Sequence, residues 1–272
     1  MPERAVAADQ ELRAEVGAVK LWYHTLELAP GVITPGWFDL RPVVARLPWP
    51  DVRGRRCLDV GTYDGFLAFE LERRGAREVV ATDISSEDDW DWWPEQRAAG
   101  PARARALTGP EKGAGFRVAK RALGAATERV EVNVYELDPE RLGRFDVVVC
   151  GSLLLHLRDP LRALERIRSV CAGELLSVEQ INPALTLLHP RRPAARLRPF
   201  PAQWWVPNAA GHREMLAGAG FEVVGGRRVG IPFGPAHPPR GRSPRDLARR
   251  AATRLVAGGG VPHSALLARP GP

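Results

Sequence analysis

The chain has 272 residues, 44% hydrophobic and 26% charged, with 27 glycines, 25 prolines and a formal net charge of +7. This excludes a disordered or collagen-like polymer, and no apolar run reaches the ~18 residues that a membrane span needs. The basic balance admits a nucleic-acid partner, but three lysines against 36 arginines is also the usage that a GC-rich genome produces without selection for binding.

Residues 4–20 carry Val6, Leu12, Val16 and Val19 at helical spacing and predict an amphipathic helix. The following segment holds Trp22, Tyr23, His24, Trp37 and Phe38 between two Pro-Gly turns, and such an aromatic, turn-rich stretch folds over something as a cap or lid. From residue 56 the pattern becomes strand, helix, strand. Expected strands are 56–60, 78–83, 129–135, 145–150 and 174–178, with helices at 66–74, 160–170 and 210–219. Another strand is expected at 221–224 and a last one at 264–268. Continuously apolar strands alternating with helices predict an α/β fold, a doubly wound, mostly parallel sheet covered on both faces. We expect an N-terminal helix and aromatic cap over residues 1–50 and a ligand-binding domain over 51–272. That domain carries insertions at 85–115 and 182–206 and a loose tail at 232–262. Basic clusters fall at 191–198 and 240–254.

In such sheets ligands bind beyond the carboxyl ends of the strands, where the strand order reverses. The first strand ends in Asp59-Val60-Gly61-Thr62-Tyr63-Asp64-Gly65, and its glycines let the backbone approach a ligand. A G-x-G-x-x-G phosphate cradle is missing, and an acid ahead of the glycines suits a cation better than a pyrophosphate. Asp83 closes the next strand, where an acid accepts from ribose hydroxyls, with Ile84 beside it. No G-x-S-x-G nucleophile elbow occurs and no metal-ligand spacing is visible.

The run Leu58–Gly65 with Asp83 resembles the first two motifs of class I S-adenosylmethionine-dependent methyltransferases. A wider set of segments is similar to a narrower group, the tRNA wobble-uridine carboxymethyltransferases and their small-molecule relatives. These segments are Trp22–Thr25, Gly31–Trp37, Gly61–Phe66, Phe145–Pro160, Val206-Pro207-Asn208 and Gly220-Phe221. The resemblance implies that Asp59, Gly61, Thr62, Tyr63, Gly65, Asp83, Ile84, Gly151 and Ser152 hold S-adenosylmethionine, with S-adenosylhomocysteine as product. Trp22, Tyr23, Trp37, Arg41, Leu155, Trp205 and Asn208 then line the acceptor site. The carboxymethyl enzymes hold an extra carboxylate with a lysine, a tyrosine and an arginine. Here those positions fall at His24, at Leu155 and at Pro262 or His263. Leucine cannot bond a carboxylate, so ordinary S-adenosylmethionine is expected unless Arg41 or another arginine replaces the lost cations.

Glu136 either accepts from the adenine amino group or is an ordinary solvated acid at a strand end. Trp90, Trp92 and Trp93 either wall the adenine or pack as core. His24 on the cap and His156 past the fourth strand are the candidate general bases, each otherwise a histidine satisfied by backbone bonds. His189, His212 and His237 receive no role. The leading expectation is O-methylation of a phenolic or hydroxyl small molecule of secondary metabolism. The alternatives are an RNA-modifying enzyme gripping phosphates with its arginine clusters, and a cofactor-binding module without chemistry. The N-terminus lacks a signal-peptide pattern, and Cys57, Cys150 and Cys171 are odd in number and widely spaced, so a cytoplasmic setting with no membrane partner is expected. The oligomeric state is not encoded in any of these features.

Overall fold

The computed structural model describes residues 2–100, 112–200, 202–237, 241 and 243–272. In chain order the elements are α1 (Pro2–Ala18), β1 (Glu27–Ala29), β2 (Val32–Ile33), β3 (Arg56–Val60), α2 (Phe66–Arg73), β4 (Glu78–Asp83) and α3 (Pro94–Ala98). Next come α4 (Ala114–Leu123), β5 (Glu128–Glu131), α5 (Pro139–Leu142), β6 (Phe145–Gly151), α6 (Pro160–Val170), β7 (Cys171–Gln180) and α7 (Pro183–Leu188). The chain closes with β8 (Ala195–Leu197), β9 (Trp205–Pro207), α8 (Ala209–Gly218), β10 (Phe221–Ile231), α9 (Pro244–Ala257) and β11 (Val261–Pro270).

Seven strands form one sheet in the order β10-β11-β7-β6-β3-β4-β5. β3 pairs in parallel with β4 and β6, β4 with β5, and β6 with β7, whereas β11 runs antiparallel between β7 and β10. Alternate strand residues feed two cores, as the pleat requires. One face buries Cys57, Val147, Val149, Leu176 and Val178 under α1, α2 and α4. The other buries Leu58, Val148, Cys150 and Leu175 under α6 and α8. The expected doubly wound α/β sheet is therefore present. The expected boundary near residue 50 separates no two cores, because Trp22, Leu26, Leu28, Val32 and Leu40 pack into the same cluster as Val147 and Leu176.

Other local differences have physical causes. The strand expected over 129–135 stops at Glu131, because Asn133 accepts from Tyr135 N and turns the chain. The tail expected to be loose holds α9, started by a Ser243–Asp246 capping box and ended by Gly258 in the left-handed conformation. Parts of the tail and of both insertions, residues 101–111, 201, 238–240 and 242, lie outside the described residues. Among the described residues no helix is long and apolar enough to cross a membrane.

Candidate functional site

The chain leaves β3 toward β4 on one side and β6 on the other, so a crevice opens at the carboxyl ends of these strands. Gly61 and Gly65 turn there at φ 74° and 89°. A Cβ on Gly65 would lie 2.5 Å from the Phe69 ring, which reserves the position for glycine. Asp83 Oδ2 accepts from Tyr63 N at 2.7 Å and Oδ1 from Ile84 N at 2.8 Å, fixing the loop to the end of β4. Burial raises the Asp83 pKa, while these bonds and the nearby Arg129 and Lys112 oppose the rise. Asp59 is buried and its carboxyl is pushed up to about 7 by desolvation. Thr62 Oγ1 and Ala68 N lie against this carboxyl beneath the turn and partly offset the rise. The close-approach glycines and the Asp83 carboxyl at the strand end fit a ligand that brings its own hydroxyl groups.

Beside this loop lies a recess that includes Gly151 and Ser152 at the end of β6. The segment expected to form a cap lines it through Tyr23, His24, Phe38 and Leu40. Asp64 Oδ2 accepts from Tyr23 N at 2.6 Å and His24 N at 2.9 Å, latching the cap to the glycine loop. Burial pushes the Asp64 carboxyl up to about 7 and the His24 imidazole down to about 3, so His24 stays neutral. Phe38, Leu40, Leu47, Leu67, Val178 and Ile231 supply apolar wall. Tyr23, Ser152, Gln180 and His263 supply the polar end, and no lysine or arginine lines the recess among the described residues. Glu179, buried at the end of β7, accepts from Leu153 N and Leu154 N and holds the turn that follows β6.

Several expected site residues occupy other positions. Trp22 is a core side chain, 1% exposed, donating Nε1 to Val16 O below α1. Trp37 faces outward against His237, and Arg41 pairs with Asp39 outside the recess. Leu155 is buried, its carbonyl accepting from Trp204 N. Trp205 donates Nε1 to Arg158 O, also away from the recess. Asn208 caps α8 and bonds Gly211 N, Ala194 N, His189 O and Arg192 O, so its amide is fully committed to the fold. Glu136 is exposed and makes no described contact toward the crevice. His156 Nδ1 lies 2.6 Å from Ala202 O and its ring meets Trp90 edge-on, outside the recess lining. The tryptophans tie the two insertions together. Trp93 stacks on Trp204 at 3.9 Å, and Trp204 Nε1 donates to Asp91 O.

Sequence reasoning assigned no site role to Asp64 and Glu179. Asp64 stood inside the quoted glycine turn, where it shows itself only once the cap's amides are seen to need an acceptor. Glu179, an acid at the end of an apolar strand, carried a readable signal. Among the described residues no cluster of three or more His, Cys, Asp or Glu side chains could hold a metal ion.

The sequence matches the methyltransferase domain family over residues 38–225. A ubiquinone biosynthesis O-methyltransferase of Marinobacter nauticus (strain ATCC 700491 / DSM 11845 / VT8) is 27% identical over 189 residues, 67% of this chain and 66% of that protein's length. The fold is shared with Burkholderia thailandensis 1,6-didemethyltoxoflavin-N1-methyltransferase, solved with 1,6-didemethyltoxoflavin and S-adenosylhomocysteine. It is 19% identical at a TM-score of 0.51, over 86% of this chain and 78% of that one. The N-terminal domain of EvdMO1, solved with S-adenosylhomocysteine and D-fucose, is 16% identical at a TM-score of 0.53 over 97% of both chains.

Proposed function

The chain belongs to the methyltransferase domain family, and from that premise we propose that it methylates a hydroxyl oxygen of an uncharged, largely apolar small molecule, using S-adenosylmethionine. The recess carries the reading, with six apolar walls, a cluster of neutral hydrogen-bonding groups at one end and no lining cation among the described residues. Of the polar groups in the recess, Ser152 and Gln180 fall inside the family match, while Tyr23, His24 and His263 come from the segments before and after it.

S-adenosylmethionine supplies an electrophilic methyl group bound to a sulfonium. Asp83 at the end of β4 would accept from the ribose hydroxyls, while Asp59 and the turn through Gly61–Gly65 face its cationic methionyl part. The cap excludes water and orients the acceptor, and in-line positioning of this kind supplies much of the rate in a two-substrate transfer. A carboxylated donor would leave an anion near neutral His24 in a recess lined by no lysine or arginine among the described residues, which favours the ordinary donor. Incubation with both donors and a panel of phenols, catechols and alcohols tests this. The expected product is a methyl ether formed from the ordinary donor, and preference for the carboxylated donor would reject it.

A second reading, RNA modification, is favoured by one observation. The basic segment at 240–254 comes near the flanks of the other one: α9 packs on α7, which precedes residues 191–198, and Arg249 lies over the ring of Phe200, which follows them, at 5.0 Å. Under that reading RNA affinity falls steeply with added salt, and Arg249→Ala with Arg250→Ala lowers the slope by about two. Under the leading reading the same pair of changes leaves phenol methylation unaltered.

A further inference from the structure

His263 projects from β11 opposite Gln180 of β7, on the wall of the recess, and is 3% exposed. Its Nδ1 lies 2.8 Å from Val261 O, a group that can only accept, so Nδ1 carries the proton and Nε2 is left as a lone pair. That lone pair lies 3.0 Å from Ser152 Oγ, so the serine hydroxyl donates to it. Ser152 sits at φ 51°, an uncommon conformation for a residue with a side chain, and its amide is held by Val178 O at 2.8 Å. The strained backbone thus fixes the hydroxyl between the histidine and the recess, next to the Tyr23 phenol.

We propose that Ser152 and His263 form a proton relay that takes the acceptor's hydroxyl proton during methyl transfer. This rests on the O-methylation reading above. The acceptor O–H donates its proton to Ser152 Oγ as Ser152 passes its own to His263 Nε2. The acceptor oxygen forms its bond to the methyl carbon as the carbon–sulfur bond breaks, with that electron pair left on sulfur. The resulting imidazolium returns its proton to water and the pair is restored. Ser152 touches the acceptor, while His263 acts through it.

The surroundings keep the relay neutral. Tyr23 and His24 face it from the cap, Glu179 flanks Tyr23 from β7, β10 sets Val229 opposite, and His212 lies beyond on α8. Burial raises the Tyr23 and Glu179 pKa values and pushes His263 down to about 4, so at neutral pH the imidazole holds no charge and can accept. Asp64, pushed up to about 7 and bonded to the Tyr23 and His24 amides, is the group facing them from the glycine loop that is partly ionised at neutral pH.

The test joins a spectrum with kinetics. In protein uniformly labelled with nitrogen-15 and loaded with S-adenosylhomocysteine, long-range proton–nitrogen correlation should show His263 as the Nδ1-protonated tautomer, neutral above about pH 5. An Nε2-protonated tautomer overturns the relay. For a phenol that the wild type methylates, Ser152→Ala and His263→Gln should each lower kcat about a hundredfold while affinity for S-adenosylhomocysteine is kept. In wild type kcat should hold from neutral pH down toward about 4, where His263 takes a proton. In His263→Gln it should instead climb about tenfold per pH unit as the acceptor ionises by itself. Wild-type rates and an unchanged pH profile in a folded Ser152→Ala protein overturn the relay alone. A wild type that methylates no hydroxyl in the panel overturns the function reading beneath it.

Discussion

Asp83 anchors the glycine loop through Tyr63 N and Ile84 N, and in the proposed site its carboxylate also takes the ribose hydroxyls. Asp83→Ala should weaken S-adenosylhomocysteine binding at least tenfold, since a charge-assisted hydrogen bond is worth about 1.5–3 kcal/mol. Calorimetry on the folded variant reads this directly, and unchanged affinity would remove Asp83 from the site. Asn208 gives the opposite expectation. Its buried amide satisfies an α8 cap and three further backbone groups, so Asn208→Ala should cost about 2 kcal/mol of stability and leave cofactor affinity intact. A variant with unchanged Tm but lost acceptor affinity would return Asn208 to the substrate site.

At the scale of elements, the cap is part of the core and cannot be cut away cleanly. Trp22, Leu26, Leu28 and Leu40 are buried in the cluster that also holds α2. A finer probe is Gly36→Ala, whose Cβ would lie 2.2 Å from the His24 carbonyl carbon and 2.3 Å from Thr25 N. Backbone cannot yield as a side-chain tip can, so the cap should lift at a cost of about 1–3 kcal/mol. Hydrogen exchange should quicken across residues 22–38 and kcat/KM for a phenol should fall, with cofactor affinity nearly unchanged. Exchange unaltered over that segment would contradict the packing. The elements that sequence made legible are those with strong local signals: the apolar runs of β3, β4 and β6, and α6, begun by Pro160 behind the Asp159 cap. The turn between Asp59 and Gly65 and its tie to Asp83 were legible for the same reason, since these residues are contiguous or one strand apart. The polar end of the recess was legible only in part: Tyr23 and Ser152 stood among the expected site residues, but His263 joins them only when β11 inserts between β7 and β10. Trp22 and Trp37 misled in a simple way. Both belong to one aromatic segment, but the chain turns one ring into the core and the other outward.

Over the whole molecule, burial of neutral groups at the crevice predicts how stability follows pH. Asp59 and Asp64, pushed up to about 7, and Glu179, pushed up to about 8, hold protons in the fold that the unfolded chain releases near 3.8 and 4.5. His24, His212 and His263, pushed down to about 3, 3 and 4, are neutral in the fold where the unfolded chain is protonated below 6.5. The two sets oppose each other from about pH 4 to 6.5. Above that only the acids act, so the cofactor-free protein should lose stability up to about pH 8, and below about pH 4 the histidines should destabilise it. Thermal unfolding across this range checks the sign, and a Tm still rising through pH 8 would contradict it. The central claim is chemical, and one labelling experiment addresses it most directly. S-adenosylmethionine carrying a trideuteriomethyl group is offered with the phenol, catechol and alcohol panel, a matched set of carboxylates, and RNA, and the products are read by fragmentation mass spectrometry. The account predicts a single labelled methyl on a hydroxyl oxygen of an uncharged acceptor, suppressed by added S-adenosylhomocysteine. Label found only in RNA or in anionic acceptors would contradict it.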